Sequence, residues 1–339
     1  MMIRVKEFLK IRFLCAIATI FIFPSYLFSA VIFQDNFDNL DDWQPAHGTK
    51  CSYSGTPGCD NVPGNWTYYV NDEMWEEPTY EGTIRINSDN YRGGSGKGYT
   101  QWNESNNGNS GDGWGADGIL AKNLGADYNE IYVRFYIKFQ SDFSWGTADE
   151  NKIKIFRAYH YDGSGNVFAY FSGGNSAPIF IFDIQTGTWG YRHISAFRCD
   201  PQETCYYCST CGFPDQKIDM KWPGNANFDD AGQVGDGNWH CWEFHLKMNT
   251  KVGGIWQQNG IYQFWHDGEL IVDKSDKVYM AGGDTVQGWN IVAIGGNAYN
   301  KWTDPINHGE QWYAIDDFVV STTYIGPLLA PPRDLRLVE

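Results

Sequence analysis

The sequence is short of positive charge: 25 Lys and Arg stand against 41 Asp and Glu, a formal net charge of -16. So acidic a chain repels polyphosphates and anionic headgroups, which argues against nucleic acid and negatively charged membranes as partners. Long apolar runs are missing too. The longest, residues 13–23, falls short of the ~20 residues that a helical span needs, so no stable membrane span is expected. No segment keeps a helical period, no unit repeats, and no Gly-rich phosphate loop, Ser nucleophile elbow or dinucleotide fingerprint occurs. Nucleotide-dependent and Ser-hydrolase chemistries of those types are thereby disfavoured.

What the chain has instead is aromatic residues and glycine: 15 Trp, 21 Tyr, 21 Phe and 38 Gly. That mixture suits many short strands joined by turns. Residues 1–30 stand apart. Arg4, Lys6, Lys10 and Arg12 precede the apolar run, and Ser29 and Ala30 give a small-residue exit, the pattern of a secretory signal. The mature chain then starts near Val31 and is exported, secreted or held at the cell surface, and is read as a monomer. Residues 31–326 suit a single all-β domain, with a Cys-rich insertion at 198–237 and a Pro-rich linker or tail at 327–339.

Export decides how the cysteines are read. Cys51 and Cys59 close a short loop and form a local pair. Cys199, Cys205, Cys208 and Cys211 are expected in disulfides, with a thiolate zinc cluster as the alternative at this spacing. The odd thiol is assigned to Cys241, left over or paired with the 199–211 loop. Residues 103–118 are nearly all turn formers. They read as a solvated loop, or as a calcium loop using Glu104, Asp112 and Asp117 that lacks EF-hand spacing.

The stretch 238–272 organises the rest. From residue 239 to 249, His240, Trp242, Phe244, Leu246 and Met248 alternate with Trp239, Glu243, His245 and Lys247, as in a half-buried strand. Residues 261–265 repeat the pattern, and Asp267-Gly268 supplies a hairpin turn. The run W-x-x-W-E-F-x-x-K-x-N from Trp239, the W-x-D-G from Trp265 and the D-D-F-V-V-S-T from Asp316 resemble the concanavalin A-like lectin and glucanase superfamily, nearest to secreted polysaccharide-lyase-like proteins. The resemblance spans roughly residues 31–326. It implies an all-β jelly-roll sandwich of two antiparallel sheets, with the opening strand at 31–38 paired to the last at 312–322. It also implies a concave groove for a polysaccharide partner and no required cofactor. A structural calcium near Asp35, Asp316 and Asp317 is the commoner metal arrangement in that superfamily.

The E-x-D-x-E run of the superfamily's glucanases is absent, so glycoside hydrolysis is disfavoured. The alginate-lyase runs R-T-E-L-R, Q-I-H and Y-F-K-x-G-x-Y are absent as well. Residues 131–160 nevertheless carry Arg134, Lys138, Lys152, Lys154 and Arg157 against Asp142, Asp149 and Glu150, the one net-basic stretch of an acidic chain. β-Elimination at a uronate needs a cation or amide at the carboxylate, a base and a proton donor. The expected lyase set is Arg134 or Lys154 at the carboxylate, His245 or His160 as base, and Tyr136 as donor. Trp239, Glu243, Gln263 and Trp265 are the expected substrate-binding platform. Alternation assigns these residues to faces without saying which sheet carries each. The alternative is a non-catalytic, lectin-like binding module or adhesin.

Overall fold

The computed structural model describes residues 31–52, 59–71, 82–103, 114–141, 143, 150–168, 178–187, 192–198, 218–221, 235–281, 285, 287–300 and 311–328. Among them, period-two alternation builds two eight-stranded antiparallel sheets. The first runs β16 (Glu269–Lys277), β15 (Gly260–His266), β12 (His240–Lys247), β7 (Glu130–Phe139), β18 (Gln311–Ser321), β5 (Gly98–Asn103), β4 (Ile84–Asn87), with β1 (Val31–Asp35) on the far half of β18. The second runs β11 (Ile218–Lys221), β10 (Arg192–Arg198), β9 (Ile179–Gly187), β8 (Glu150–Tyr159), β17 (Trp289–Asn300), β6 (Trp114–Tyr128), β3 (Tyr68–Asn71), β2 (Thr49–Cys51). A small ribbon joins β13 (Lys251–Val252) to β14 (Ile255–Trp256).

The sheets meet through an aromatic layer. Phe244 of β12 lies 4.8 Å from Phe156 of β8 and 5.0 Å from Phe182 of β9, ring centre to ring centre. Phe135, Trp242 and Phe264 surround it, all without solvent exposure. This is a jelly-roll sandwich, as the resemblance implies, and the terminal strands pair as expected: Val31 opposes Ser321 and Asp35 opposes Phe318. The Asp267-Gly268 turn also forms, with φ of 51° and 85°, directly linking β15 to β16.

Three local expectations change. β12 is not half-buried, because Glu243 and His245 on its outer side are 2% and 4% exposed. Residues 114–118, read as loop, open the 15-residue β6, where ladders with β17 and β3 override the weak strand propensity of its Gly, Asp and Asn. Finally, β8 does not alternate without interruption. Lys154 opposes Asp183 while Phe156 opposes Phe182, so Ile155 is an extra residue and the faces change parity. Strict alternation would put Lys154 on one face with Phe156 and Ala158; the bulge instead places it on the outer side with Arg157 and Tyr159.

Cys51 and Cys59 form the expected disulfide. Cys241 is a buried free thiol, whereas Cys199, Cys205, Cys208 and Cys211 lie outside the described residues. Phe168 sits in a turn.

Phe244→Ala should cost about 3–5 kcal/mol, read as a lowered urea midpoint with an unchanged slope.

Candidate functional site

The outer face of the first sheet gathers most of the residues singled out by sequence, and a segment of the chain itself lies over them. Beyond β18, residues 322–328 turn back across β7 and β12. Glu243 Oε1 accepts the Ile325 N–H and Oε2 the Gly326 N–H, both at 2.8 Å. Arg134 Nη1 donates to the Gly326 carbonyl at 3.0 Å, and the Tyr136 hydroxyl to the Leu328 carbonyl at 3.1 Å. Tyr324 packs against Trp265 with 5.1 Å between ring centres. Arg134, Tyr136 and Glu243 thus hold a strap of backbone, and Trp265 packs against Tyr324.

Burial dominates the electrostatics beneath the strap. It pushes the Tyr136 hydroxyl and the Cys241 thiol up to about 12 each. It also raises Glu243 above the ordinary carboxylate value, against the opposing pull of the Ile325 and Gly326 N–H groups and Arg134. The Arg92 guanidinium lies 3.7 Å over the Tyr136 ring and pairs with Asp317 at 2.6 Å.

His245 is engaged at both nitrogens. Nδ1 lies 2.7 Å from Gln263 Oε1 and Nε2 2.8 Å from Glu130 Oε1, while Tyr132 stacks on the ring at 4.1 Å. Gln263 is itself bonded to Asp273. A free base and a free platform amide are therefore not found at these two positions.

The second sheet holds the remaining candidates. The bulge at Ile155 turns Lys154 outward, where its ammonium donates to Asn297 Oδ1 at 2.8 Å. Arg157, on the same side of β8, donates to the Gly295 carbonyl at 2.7 Å. Two glycines permit this approach. Gly295 has φ of 84°, and a Cβ on Gly296 would lie 2.5 Å from Arg157 Nη2. Arg157 and Tyr159 are each 1% exposed, whereas Lys154 and Asn297 are half-buried. His160, beyond the end of β8, bonds through Nδ1 to the Gly288 carbonyl at 3.2 Å.

The expected catalytic set is therefore divided. Arg134, Tyr136 and His245 lie on the first sheet, and Lys154 and His160 on the second, with the aromatic core between. Alternation fixes a side chain's face within its own sheet, and this separation is decided by strand order. Asn297 and Arg157 were not anticipated as site residues. The G-G-N run at 295–297, where a strand pattern is interrupted, was the available signal for Asn297.

Asp35, Asp316 and Asp317 are each engaged within the chain. Asp35 accepts from Phe37 N and Trp66 Nε1, Asp316 from Arg92 N and Asp317 N, and Asp317 pairs with Arg92. Burial pushes Asp316 up to about 8. His240, His266 and Asp267 do bring one ligand atom each within 4.8 Å. Trp242 Nε1, however, donates to His266 Nδ1 at 3.0 Å, which leaves the proton, not a lone pair, on Nε2. Burial lowers His266 to about 4. The group is a hydrogen-bonded clasp: His240 Nδ1 lies 2.7 Å from Asp267 and Nε2 3.2 Å from Asp236. Burial lowers the His240 pKa, but the two carboxylates outweigh it and raise the value above 6.5.

Two outcomes follow. Glu243→Gln should speed hydrogen exchange at the Ile325 and Gly326 amides by about tenfold or more, since charge-assisted bonds contribute ~1.5–3 kcal/mol. A raised folded-state pKa stabilises fully below the unfolded value and loses that stabilisation as pH climbs through it. Urea titrations should therefore show the stability advantage of the parent chain over His240→Gln to be full below pH 6.5 and to shrink as pH rises through the raised His240 pKa.

No protein family matches the sequence as a whole, and no curated protein matches it. Similar chain paths occur among solved structures. A glucuronan lyase from the fungus Trichoderma reesei shares 18% identity over 76% of this chain and 96% of its own, with a TM-score of 0.45. An alginate lyase from Chlorella virus shares 13% over 78% and 96%, TM-score 0.47, and one from Aplysia kurodai 12% over 71% and 87%, TM-score 0.41. At such identities and scores these likenesses assign no activity to this chain, whose jelly-roll architecture stands on its own two sheets.

Proposed function

We propose that this is an exported polysaccharide-active protein that holds a uronate-bearing glycan against the outer face of the second sheet and cleaves it by β-elimination. The observation that carries this reading is the bulge at Ile155, which sets Lys154 beside Asn297 and on the same side as buried Arg157. Lys154 occupies one lone pair of Asn297 Oδ1. Together they place an ammonium and a carboxamide side by side, the group types that neutralise a carboxylate. With the carboxylate neutralised, the α-carbon loses its proton to a base, a carbon–carbon double bond forms, and the glycosidic C–O bond breaks as the leaving oxygen gains a proton. Export rests on the signal-like residues 1–30. Among the described residues, no helix is long and apolar enough to cross a membrane.

A second reading has its own support. The His and Tyr residues considered for proton transfer are engaged or buried: His245 and Tyr136 on the first sheet, and His160 on the second. A binding module needs no such group. Absorbance near 235 nm, followed during incubation with alginate, glucuronan, pectate or glycosaminoglycan, separates the two. The lyase reading expects a rise on at least one substrate and a fall in kcat/KM of about 100-fold or more for Lys154→Ala. A flat trace on every substrate, with the glycan still bound, selects the binding module.

A further inference from the structure

On the first sheet, near the beginning of β18, three tryptophans and two cations line up across five adjacent strands. Trp312 of β18 opposes Trp102 of β5, so both indoles share the outer face. Lys138 of β7 opposes Ala314 of β18 and points the same way, while Trp239 immediately precedes β12, whose His240 opposes Ile137. Arg85 of β4 closes the row, its guanidinium 4.2 Å over the Trp102 ring. Strands lie ~4.8 Å apart, so the row is roughly 19 Å long, enough for several sugar units. All five side chains are half-buried.

Lys138 gives the row its chemical sense. Its ammonium lies 5.4 Å from the centre of the Trp312 ring and 5.8 Å from that of Trp239, at the outer limit of a cation–π contact. Among the described residues it makes no ion pair or hydrogen bond, although the chain carries an excess of 16 negative charges. An unpaired ammonium between two indoles suits a ligand with flat apolar faces and regularly spaced carboxylates. Trp312 is also held in place: its N–H donates to Gln140 Oε1 and its carbonyl accepts from Gln140 N, both at 3.1 Å.

We propose that Trp102, Trp312, Lys138 and Trp239, with Arg85 at the end, form a second carbohydrate site that binds a uronate polysaccharide on the face opposite Lys154. The choice of ligand rests on the polysaccharide-active reading above, but the site does not depend on cleavage. Sugar rings stack on the indoles and Lys138 meets a carboxylate, so the row anchors a long chain while the other sheet engages it elsewhere.

Affinity electrophoresis of the full chain in gels containing alginate, glucuronan or a neutral β-glucan tests this, with circular dichroism to confirm that each variant is folded. The expected result is retardation in a uronate gel that weakens with salt and is absent in the glucan. Trp312→Ala and Lys138→Gln should each raise the apparent Kd about tenfold or more, with Lys138→Arg partly restoring binding. Lys154→Ala should weaken but not abolish the retardation, and adding Trp312→Ala should remove the remainder, whether or not the 235 nm assay reports a lyase. Equal binding by Trp312→Ala, equal retardation by neutral glucan, no retardation in either uronate gel, or loss of retardation only in Lys154→Ala would overturn the second site. The last result would leave the first site standing.

Discussion

The aromatic layer between the sheets is the constraint from which the remaining features follow. Phe135, Trp242, Phe244 and Phe264 on one side, with Phe156, Phe180 and Phe182 on the other, are fully buried and in ring-to-ring contact. Such rings gain from area removed from water and from tilted and edge contacts with one another. Once they face inward, pleating leaves each strand's alternate residues on an outer face. Polar chemistry is thus confined to two surfaces separated by the core.

Those surfaces are used differently. On the first, the strap at 322–328 takes up buried donors and acceptors that would otherwise be costly. Glu243 meets two N–H groups, and Arg134 and Tyr136 each meet a carbonyl. Toward the start of β18 this face presents half-buried tryptophans and a lysine that makes no ion pair or hydrogen bond among the described residues. On the second, irregularity does the organising. The bulge at Ile155 and the glycines at 295 and 296 bring Lys154, Asn297 and Arg157 to one side. Local departures from ideal pairing often re-aim side chains in this way.

Much of the sandwich was legible. Ile131, Val133, Phe135, Ile137 and Phe139 alternate without a break and all face inward, because β7 has a partner on each side and no bulge within its ladder to β12. The Asp267-Gly268 turn and the pairing of the terminal strands were also readable, since both rest on local chemistry or on motif. The site was less legible. Arg134 and Lys154 belong to the same net-basic stretch, yet β7 and β8 fall in opposite sheets. Periodicity contains no information on which strand pairs with which, and a single bulge residue in β8 was enough to exchange the faces of Lys154 and Phe156.

By itself, the sequence determined the fold class, the central strand and its inward face, the closing of the Cys51–Cys59 loop, and the scarcity of cations that makes each outward lysine informative. These are properties of composition and short-range spacing. Only the tertiary structure decided that Glu243 and Arg134 bind the chain's own backbone, that His245 is held between Glu130 and Gln263, and that Trp102, Trp312 and Trp239 share a row with Lys138. Each of those facts joins segments far apart in sequence, and such contacts are fixed by sheet order and burial of the common core rather than by any local pattern.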